Sequence, residues 1–355
     1  MHIGIPRERM KLEARVALTP AAVADLVRYG HRVFVERGAG TLSGYADDAY
    51  RAAGAELVAD AQVLFAAAQL IVKVKEPQAM ELEWLRSDHL LFGYLHLAAH
   101  LDLLHSMRDI GLTAVGFETV EEHGGLPLLA PMSTIAGKLA IQVGAHLLHS
   151  PQGGKGVMLG GLAGAKRGKV VVLGAGSAGG SAARAAAALG AEVTVFDIRA
   201  DRREPMYDLG ANVTALYPDT ETVYRTLEDT DLLVGAVLVT GSKAPVVVGK
   251  SGVAKMQPGS VIVDISVDQG GCIATTHATD YADPTYRVND VIHFAVTNMP
   301  GAVPRTATQA LSAAILPYVL RLAAEGGMSD PVLAKAVNVA GGKVVHPALR
   351  GLLPD

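Results

Sequence analysis

Lys169-Val-Val-Val-Leu173 runs directly into Gly174-Ala-Gly176-Ser-Ala-Gly179. The apolar run reads as a buried strand, and Ser177–Leu189 as the helix that follows it. Glycines in this arrangement permit a tight turn, a close backbone approach to a pyrophosphate, and close helix–strand packing. The helix start, with Ser177, Ala178 and Gly179, offers unpaired N–H groups and a positive dipole end to the phosphates. A second strand, Glu192–Phe196, leads to Asp197, an acid placed to bind the adenosine ribose hydroxyls of a dinucleotide. Glycines alone also make ordinary turns; the ordered strand, turn, helix, strand and acid give the pattern its specificity. Asp197 repels a 2′-phosphate, which favours NAD over NADP. Arg199, Arg202 and Arg203 could instead bind such a phosphate, or form a solvated helix face.

An enzyme that moves hydride to or from an acidic substrate needs a cation to hold it and a group to move protons. Arg15 follows Glu13 in the loop after the first strand; taken alone it reads as a surface charge. In Leu70-Ile-Val-Lys73-Val-Lys75-Glu76-Pro77 two lysines stand at i and i+2 on an apolar strand, which puts them on one face. Burying either is costly without an anion, and Lys75, at the exit, is the better placed to reach a cleft. The alternative is a pair of lysines decorating an edge strand. His96 stands just past the apolar run Leu90–Tyr94, and an ordinary histidine pKa of about 6.5 suits proton transfer near neutral pH. Asp264 ends the strand Ser260–Asp264, and Asp268 precedes a Gly-Gly turn where backbone can approach a ligand. Val296-Thr-Asn298-Met-Pro300-Gly-Ala-Val-Pro304 reads as a loop threading between domains.

These residues need a scaffold that alternates strands and helices. In the first third, strands are expected at His2–Ile5, His31–Glu36, Leu70–Lys75, Leu90–Tyr94 and Thr113–Phe117. Helices are expected at Pro20–Tyr29 (capped by Thr19, closed by Gly30), Asp47–Ala53, Asp60–Ala67, Met80–Leu85 and Leu101–Arg108. A helix over Thr134–Leu148 and a Gly-rich loop then precede a second round, with further strands at Leu232–Gly235 and Ser260–Asp264. An Ala-rich helix over Thr306–Ala323 follows it. The rhythm is that of βαβ units with parallel sheets.

Composition agrees. At 355 residues and about 150 per domain, two domains are expected, and an apolar half of the chain can fill two cores. Few aromatics and 39 glycines suit helices packed closely on parallel sheets, an α/β class. Lys+Arg 31 against Asp+Glu 35, without a dense basic run, argues against a nucleic-acid binder. Cys272 is the single cysteine, so neither an internal disulfide nor a thiolate metal cage is available. No apolar stretch approaches the length of a membrane span, and the start lacks a signal-peptide profile, so a cytoplasmic protein is expected.

The chain resembles the alanine dehydrogenase branch of the alanine dehydrogenase and transhydrogenase superfamily, from its first residues to near its end. The resemblance rests on Gly4-Ile-Pro-Arg-Glu8, Arg15-Val-Ala-Leu-Thr-Pro20, Val72-Lys-Val-Lys-Glu-Pro77, Tyr94-Leu-His-Leu-Ala98 and Leu129-Ala-Pro-Met-Ser133. It continues with the 174–179 glycines, Val263-Asp-Ile-Ser-Val-Asp-Gln-Gly-Gly271 and Asn298-Met-Pro-Gly-Ala-Val-Pro304. It implies two Rossmann-like domains linked by long helices, with a cleft between them, and a homohexamer. A discontinuous substrate domain (1–128 plus 305–355) and an NAD-binding domain (129–304) are the expected division. It implies the reversible, NAD-dependent conversion of L-alanine and water to pyruvate and ammonia, without a catalytic metal. Arg15 and Lys75 would hold substrate, and His96 and Asp268 would serve as proton donor and acceptor. Ser133, Gly174, Gly176, Ser177, Ala178, Gly179, Asp197, Arg202, Val237, Leu238, Ile265, Val267, Asp268, Val296, Asn298 and Met299 would border NAD. Glu118, in Gly-Phe-Glu-Thr-Val, matches a family motif and would approach a divalent ion. Asp219 departs from the family, which often has Ser in that region. The alternatives are an NAD-binding subunit of a proton-translocating transhydrogenase, a noncatalytic NAD sensor, and a like-built dehydrogenase for another small amino or keto acid.

Overall fold

The computed structural model describes residues 1–238 and 243–352. The chain opens with strands β1 (His2–Ile5), β2 (Arg32–Glu36), β3 (Glu56–Val58), β4 (Leu70–Val72), β5 (Leu90–Gly93) and β6 (Thr113–Gly116). Seven more follow: β7 (Lys169–Leu173), β8 (Glu192–Phe196), β9 (Val213–Leu216), β10 (Leu232–Gly235), β11 (Val261–Asp264), β12 (Thr285–Val288) and β13 (Val291–Phe294). The last two are β14 (Val337–Ala340) and β15 (Lys343–Val344). The chain divides into two compact units, residues 1–132 with 301–355 and residues 133–300.

The first unit holds an eight-stranded sheet of order β15-β14-β6-β5-β4-β1-β2-β3, and the second a seven-stranded sheet of order β12-β13-β11-β10-β7-β8-β9. Most neighbours are parallel, which fits α/β and explains why β4, β5 and β10 are apolar and buried throughout. The expectation of parallel sheets needs amending at the margins. β14 runs antiparallel to β6 and to β15, and β12 antiparallel to β13. The two long helices expected from the sequence are present as Ala130–Leu147 and Pro304–Ala323. Helix Pro20–Arg28 begins as read, with the Thr19 side chain accepting from Ala22 N–H. Among the described residues no helix is long and apolar enough to cross a membrane.

One local difference bears on the site. The run Leu70–Lys75 stays strand only to Val72, although Lys73 N–H still donates to Phe92 O and Tyr94 N–H to Val74 O. At the point where the strand ends, Lys73 has no solvent exposure and sits between two buried carboxylates. Its Nζ lies 2.7 Å from Glu81 Oε1 and 3.5 Å from Glu8 Oε2. β4 lies inside the sheet, so the edge-strand reading of the two lysines fails. Lys73→Met would leave two carboxylates buried without their cation. It should lower the unfolding free energy by about 3–5 kcal/mol, seen as a fall in the urea midpoint; an unchanged midpoint would show that the charges rehydrate without the lysine.

Candidate functional site

In the first unit β6, β5, β4 and β1 lie side by side and parallel, so the loops at their carboxyl ends open along one edge. Open α/β sheets bind ligands at that edge. Arg15 lies in the loop after β1, Lys75 just past β4, His96 just past β5, and Glu118 just past β6.

Arg15 is buried, which corrects its reading as a surface charge. Its guanidinium meets Glu13 in a bidentate pair, Nε to Oε1 and Nη2 to Oε2, both at 2.6 Å. Nη1 faces Met132 Sδ at 3.1 Å. Glu8 accepts from Val74 N–H (2.6 Å) and Lys75 N–H (3.2 Å), so one buried carboxylate joins the loop after β1 to the loop after β4. Lys73 and Lys75 therefore part company: the first is an internal ion pair, the second is half-buried at the edge. The two glutamates that do this, Glu8 and Glu13, were not picked out from sequence. The local signal is the nearness of Glu13 to Arg15, two residues away; Glu8, seven residues before it, leaves none.

His96 is half-buried and has a left-handed backbone, φ +46°. Tyr94 stacks on its ring (5.8 Å between centroids, 5° between planes), and the Tyr94 hydroxyl donates to Leu128 O. Burial pushes the Tyr94 phenol up; the Arg15 charge opposes this. Glu118 accepts from the backbone N–H of His96 at 2.6 Å and of Leu95 at 3.2 Å. Burial pushes its carboxyl up as well, while those donors and the Lys75 charge pull the other way. Both Glu118 oxygens are thus taken by amides. Among the described residues no three His, Cys, Asp or Glu side chains gather to hold a metal.

The second unit carries its candidates in the same way, on loops after parallel strands β7, β8, β10, β11 and β13. Gly174 has φ +92°, and a Cβ there would lie 2.5 Å from Ala236 O. A Cβ at Gly179 would lie 1.7 Å from Gly174 O, so both glycines are demanded by the fold itself. Gly176 differs. The nearest atom to a Cβ there is Arg202 Nη1 at 3.6 Å, so open space lies beside its backbone. Helix Ser177–Ala188 has no side-chain cap among the described residues, leaving N–H groups for an anion. The space and the uncapped helix fit a dinucleotide pyrophosphate.

Asp197 is buried, with Oδ2 accepting from Ala175 N–H (2.7 Å) and Oδ1 from Arg199 N–H (2.8 Å). Each oxygen keeps a further lone pair for a ribose hydroxyl. Of the three nearby arginines, Arg199 pairs with Asp201 and Arg203 donates to Asp197 O. Arg202 stands 3.9 Å from the Asp197 carboxylate. Asp219 caps helix Thr220–Leu227 by accepting from Thr222 N–H. Val237 is half-buried, Leu238 exposed, Ser133 and Ile265 half-buried, and Val267, Val296 and Met299 buried. Asn298 has φ +58°.

Asp268 is exposed in a short 3-10 segment, Ile265–Gln269. Asp264 holds that segment from within. Its buried carboxylate accepts from Ser266 N–H (3.0 Å), Cys272 N–H (3.0 Å) and the Thr276 hydroxyl (2.7 Å). Gly271 is also required by the fold: a Cβ there would lie 2.6 Å from Thr276 Oγ1 and 3.0 Å from Asp264 Oδ2.

Comparison with known proteins is consistent along the chain. Family models described as Alanine dehydrogenase/PNT match residues 4–136 (N-terminal domain) and 140–347 (C-terminal domain). An alanine dehydrogenase of Bacillus subtilis is 45% identical over 355 residues, covering 98% of this chain and 94% of its own. A solved L-alanine dehydrogenase structure superimposes with a TM-score of 0.95 at 48% identity, over 98% of each chain. A transhydrogenase structure from Sinorhizobium meliloti gives a TM-score of 0.85 at 26% identity, over 98% of this chain and 100% of its own.

The glycine geometry separates fold from ligand. Gly179→Ala should destabilise the protein by about 1–3 kcal/mol or more through the clash with Gly174 O. Gly176→Ala, at an extended backbone with open space, should stay within about 0.5 kcal/mol of wild type. Thermal unfolding without ligand checks both, and equal losses would mean that Gly176 also serves packing.

Proposed function

The chain belongs to the alanine dehydrogenase family and has the activity of an L-alanine dehydrogenase, and from that premise we propose that it works with NAD and with the residues described above. The observation that carries the reading is the convergence of Arg15, Lys75 and His96 on loops after three neighbouring parallel strands, in the unit that lacks the dinucleotide turn. NAD is supported over NADP by Asp197, whose carboxylate stands where a 2′-phosphate would meet like charge. The uncapped helix at Ser177 and the space beside Gly176 would take the pyrophosphate, and Ser133, Val237, Leu238 and the Asn298-Met299 loop would border the rest. Bound NAD supplies the acceptor for the hydride from the substrate Cα.

The chain's own residues then have distinct tasks. Arg15 presents directional N–H donors to the substrate carboxylate, its charge already balanced by Glu13. Lys75 holds the carbonyl or amino end and contributes through positioning. As Cα becomes an iminium carbon, the Asp268 carboxylate stabilises the positive charge. His96 takes a proton from the attacking water and returns one to the departing amine, so that pyruvate and ammonia leave. Proton transfer of this kind is worth about 10²–10⁴ in rate. The same resemblance supports a homohexamer in the cytoplasm.

A screen of small L-amino acids with NAD, following NADH absorbance, tests the reading; L-alanine should give the highest kcat/KM. Turnover of a different amino acid would move the substrate assignment, and NAD binding without turnover would favour a transhydrogenase subunit or a sensor. His96→Ala and Asp268→Asn should each lower kcat by roughly 10²-fold. Lys75→Ala should cripple turnover with NAD affinity retained; an equal loss of NAD affinity would make Lys75 part of the cofactor pocket.

A further inference from the structure

We infer that Glu118 is the positioning residue for His96: its half-buried carboxylate clamps the two backbone amides of the turn that presents the imidazole. The inference rests on the proton-transfer role proposed for His96 and deepens it.

A non-glycine residue with φ +46° holds a left-handed backbone that L side chains disfavour. Such strain persists only where the surroundings over-determine it. At His96 the determining group is visible. Glu118 Oε1 accepts from His96 N–H at 2.6 Å and from Leu95 N–H at 3.2 Å, and Oε2 also accepts from Leu95 N–H at 3.2 Å. Two consecutive amides pointing at one carboxylate is an arrangement that an extended strand cannot make, because its successive N–H groups face opposite sides. The chain must turn at His96 to satisfy both.

The clamp is itself held rigidly. Glu118 sits in a 3-10 turn, Phe117–Thr119, straight after β6. The Thr119 hydroxyl lies within hydrogen-bond distance of Gly116 O (2.9 Å), Ala336 O (2.8 Å) and Asn338 Oδ1 (2.9 Å), which pins this turn to β14 and the residue before it. Gly116 leaves the carboxylate its place: a Cβ there would lie 3.1 Å from Glu118 Oε1 and 3.0 Å from Asn338 Nδ2. Tyr94 then fixes the plane of the imidazole by stacking on it. The backbone of His96 is set by Glu118 and its ring by Tyr94. A divalent ion at Glu118 would have to compete with both amides for its oxygens.

The role predicts dependence on reach, not on charge. Glu118→Gln keeps the length and one acceptor oxygen, so kcat should stay within about 3-fold of wild type. Glu118→Asp keeps the charge but withdraws the acceptor by one C–C bond, about 1.5 Å. A displacement of that size at a proton-transfer group should cost about 10-fold or more in kcat, with the KM for L-alanine and the NADH affinity little changed. A metal ligand would behave in reverse, tolerating Asp, failing with Gln and recovering with added Mg²⁺; that pattern would overturn the inference, as would wild-type kcat in E118D. If E118D does not accumulate as folded protein, E118Q carries the test: it must keep both its kcat and slow hydrogen exchange at the Leu95 and His96 amides, and loss of either overturns the clamp. His96→Ala, assayed in parallel, separates the two levels. A crippled H96A beside a fully active E118D sinks the clamp alone, whereas a fully active H96A sinks the proposed role of the histidine and the clamp with it.

Discussion

A lysine with no access to water must bring its counter-charge inside with it, and Lys73 brings two. Desolvating an ion costs several kcal/mol, and pairing recovers that only when geometry and hydrogen bonds are good. The consequence is positional. Glu8 faces the lysine and, with the same carboxylate, accepts from Val74 and Lys75 N–H. Glu81 completes the cage while accepting from Gln78 N–H. The path of the chain between Lys73 and Gln78 is thereby fixed by anions from two other segments, and with it the point at which Lys75 reaches the sheet edge. Three charged groups away from the chemistry hold one that is proposed to take part in it.

The same device recurs wherever a candidate residue must be held. A buried or half-buried carboxylate accepts backbone N–H groups from a loop that would otherwise be loose: Glu118 for 95–96, Asp197 for 175 and 199, Asp264 for 266 and 272. Charge-assisted hydrogen bonds of this kind are shorter and stronger than neutral ones. They also act at the carboxyl ends of parallel strands, where the backbone runs out of sheet partners and must find others. The fold creates unpaired amides at the edge where ligands bind, and acidic side chains settle them.

This explains what could and could not be read from the residues. β7 and β8 were legible to the residue, because Val170–Leu173 is a buried apolar run that ends at a glycine turn and Glu192–Phe196 alternates into β-branched and aromatic residues before Asp197. All four edge strands, β3, β9, β12 and β15, escaped notice. They are short and partly solvated, so Glu56–Val58 or Thr285–Val288 carries no apolar run to detect. Lys75 and His96 could be picked out by type and strand-end position and Asp268 by its glycine turn, while Arg15 stood out only through the family resemblance. Their surroundings could not, since the partners of Lys73 come from residues 8 and 81 and those of the His96 turn from residue 118. Long-range pairing of this sort leaves no spacing signal. Only Glu13, two residues from Arg15, was within reach of a local argument.

The charge balance at the edge of the first sheet also assigns different physical work to the two proposed substrate cations. Arg15 is met bidentately by Glu13, so the pair is close to neutral and adds little net field at a distance. What remains to it is direction, a planar group whose N–H bonds point in fixed orientations. No carboxylate lies within ion-pair distance of Lys75 among the described residues, and its charge acts on Glu118. Lysine is a compact charge on a flexible stem, suited to following a group whose identity changes from amine to carbonyl during a reaction. On the proposed function, attraction of the substrate's carboxylate, and of pyruvate in the reverse direction, therefore falls to Lys75 and its orientation to Arg15. Exchanging the two residue types would sacrifice both properties at once, because a lysine beside Glu13 cannot form the fork and an arginine at position 75 cannot collapse to a point.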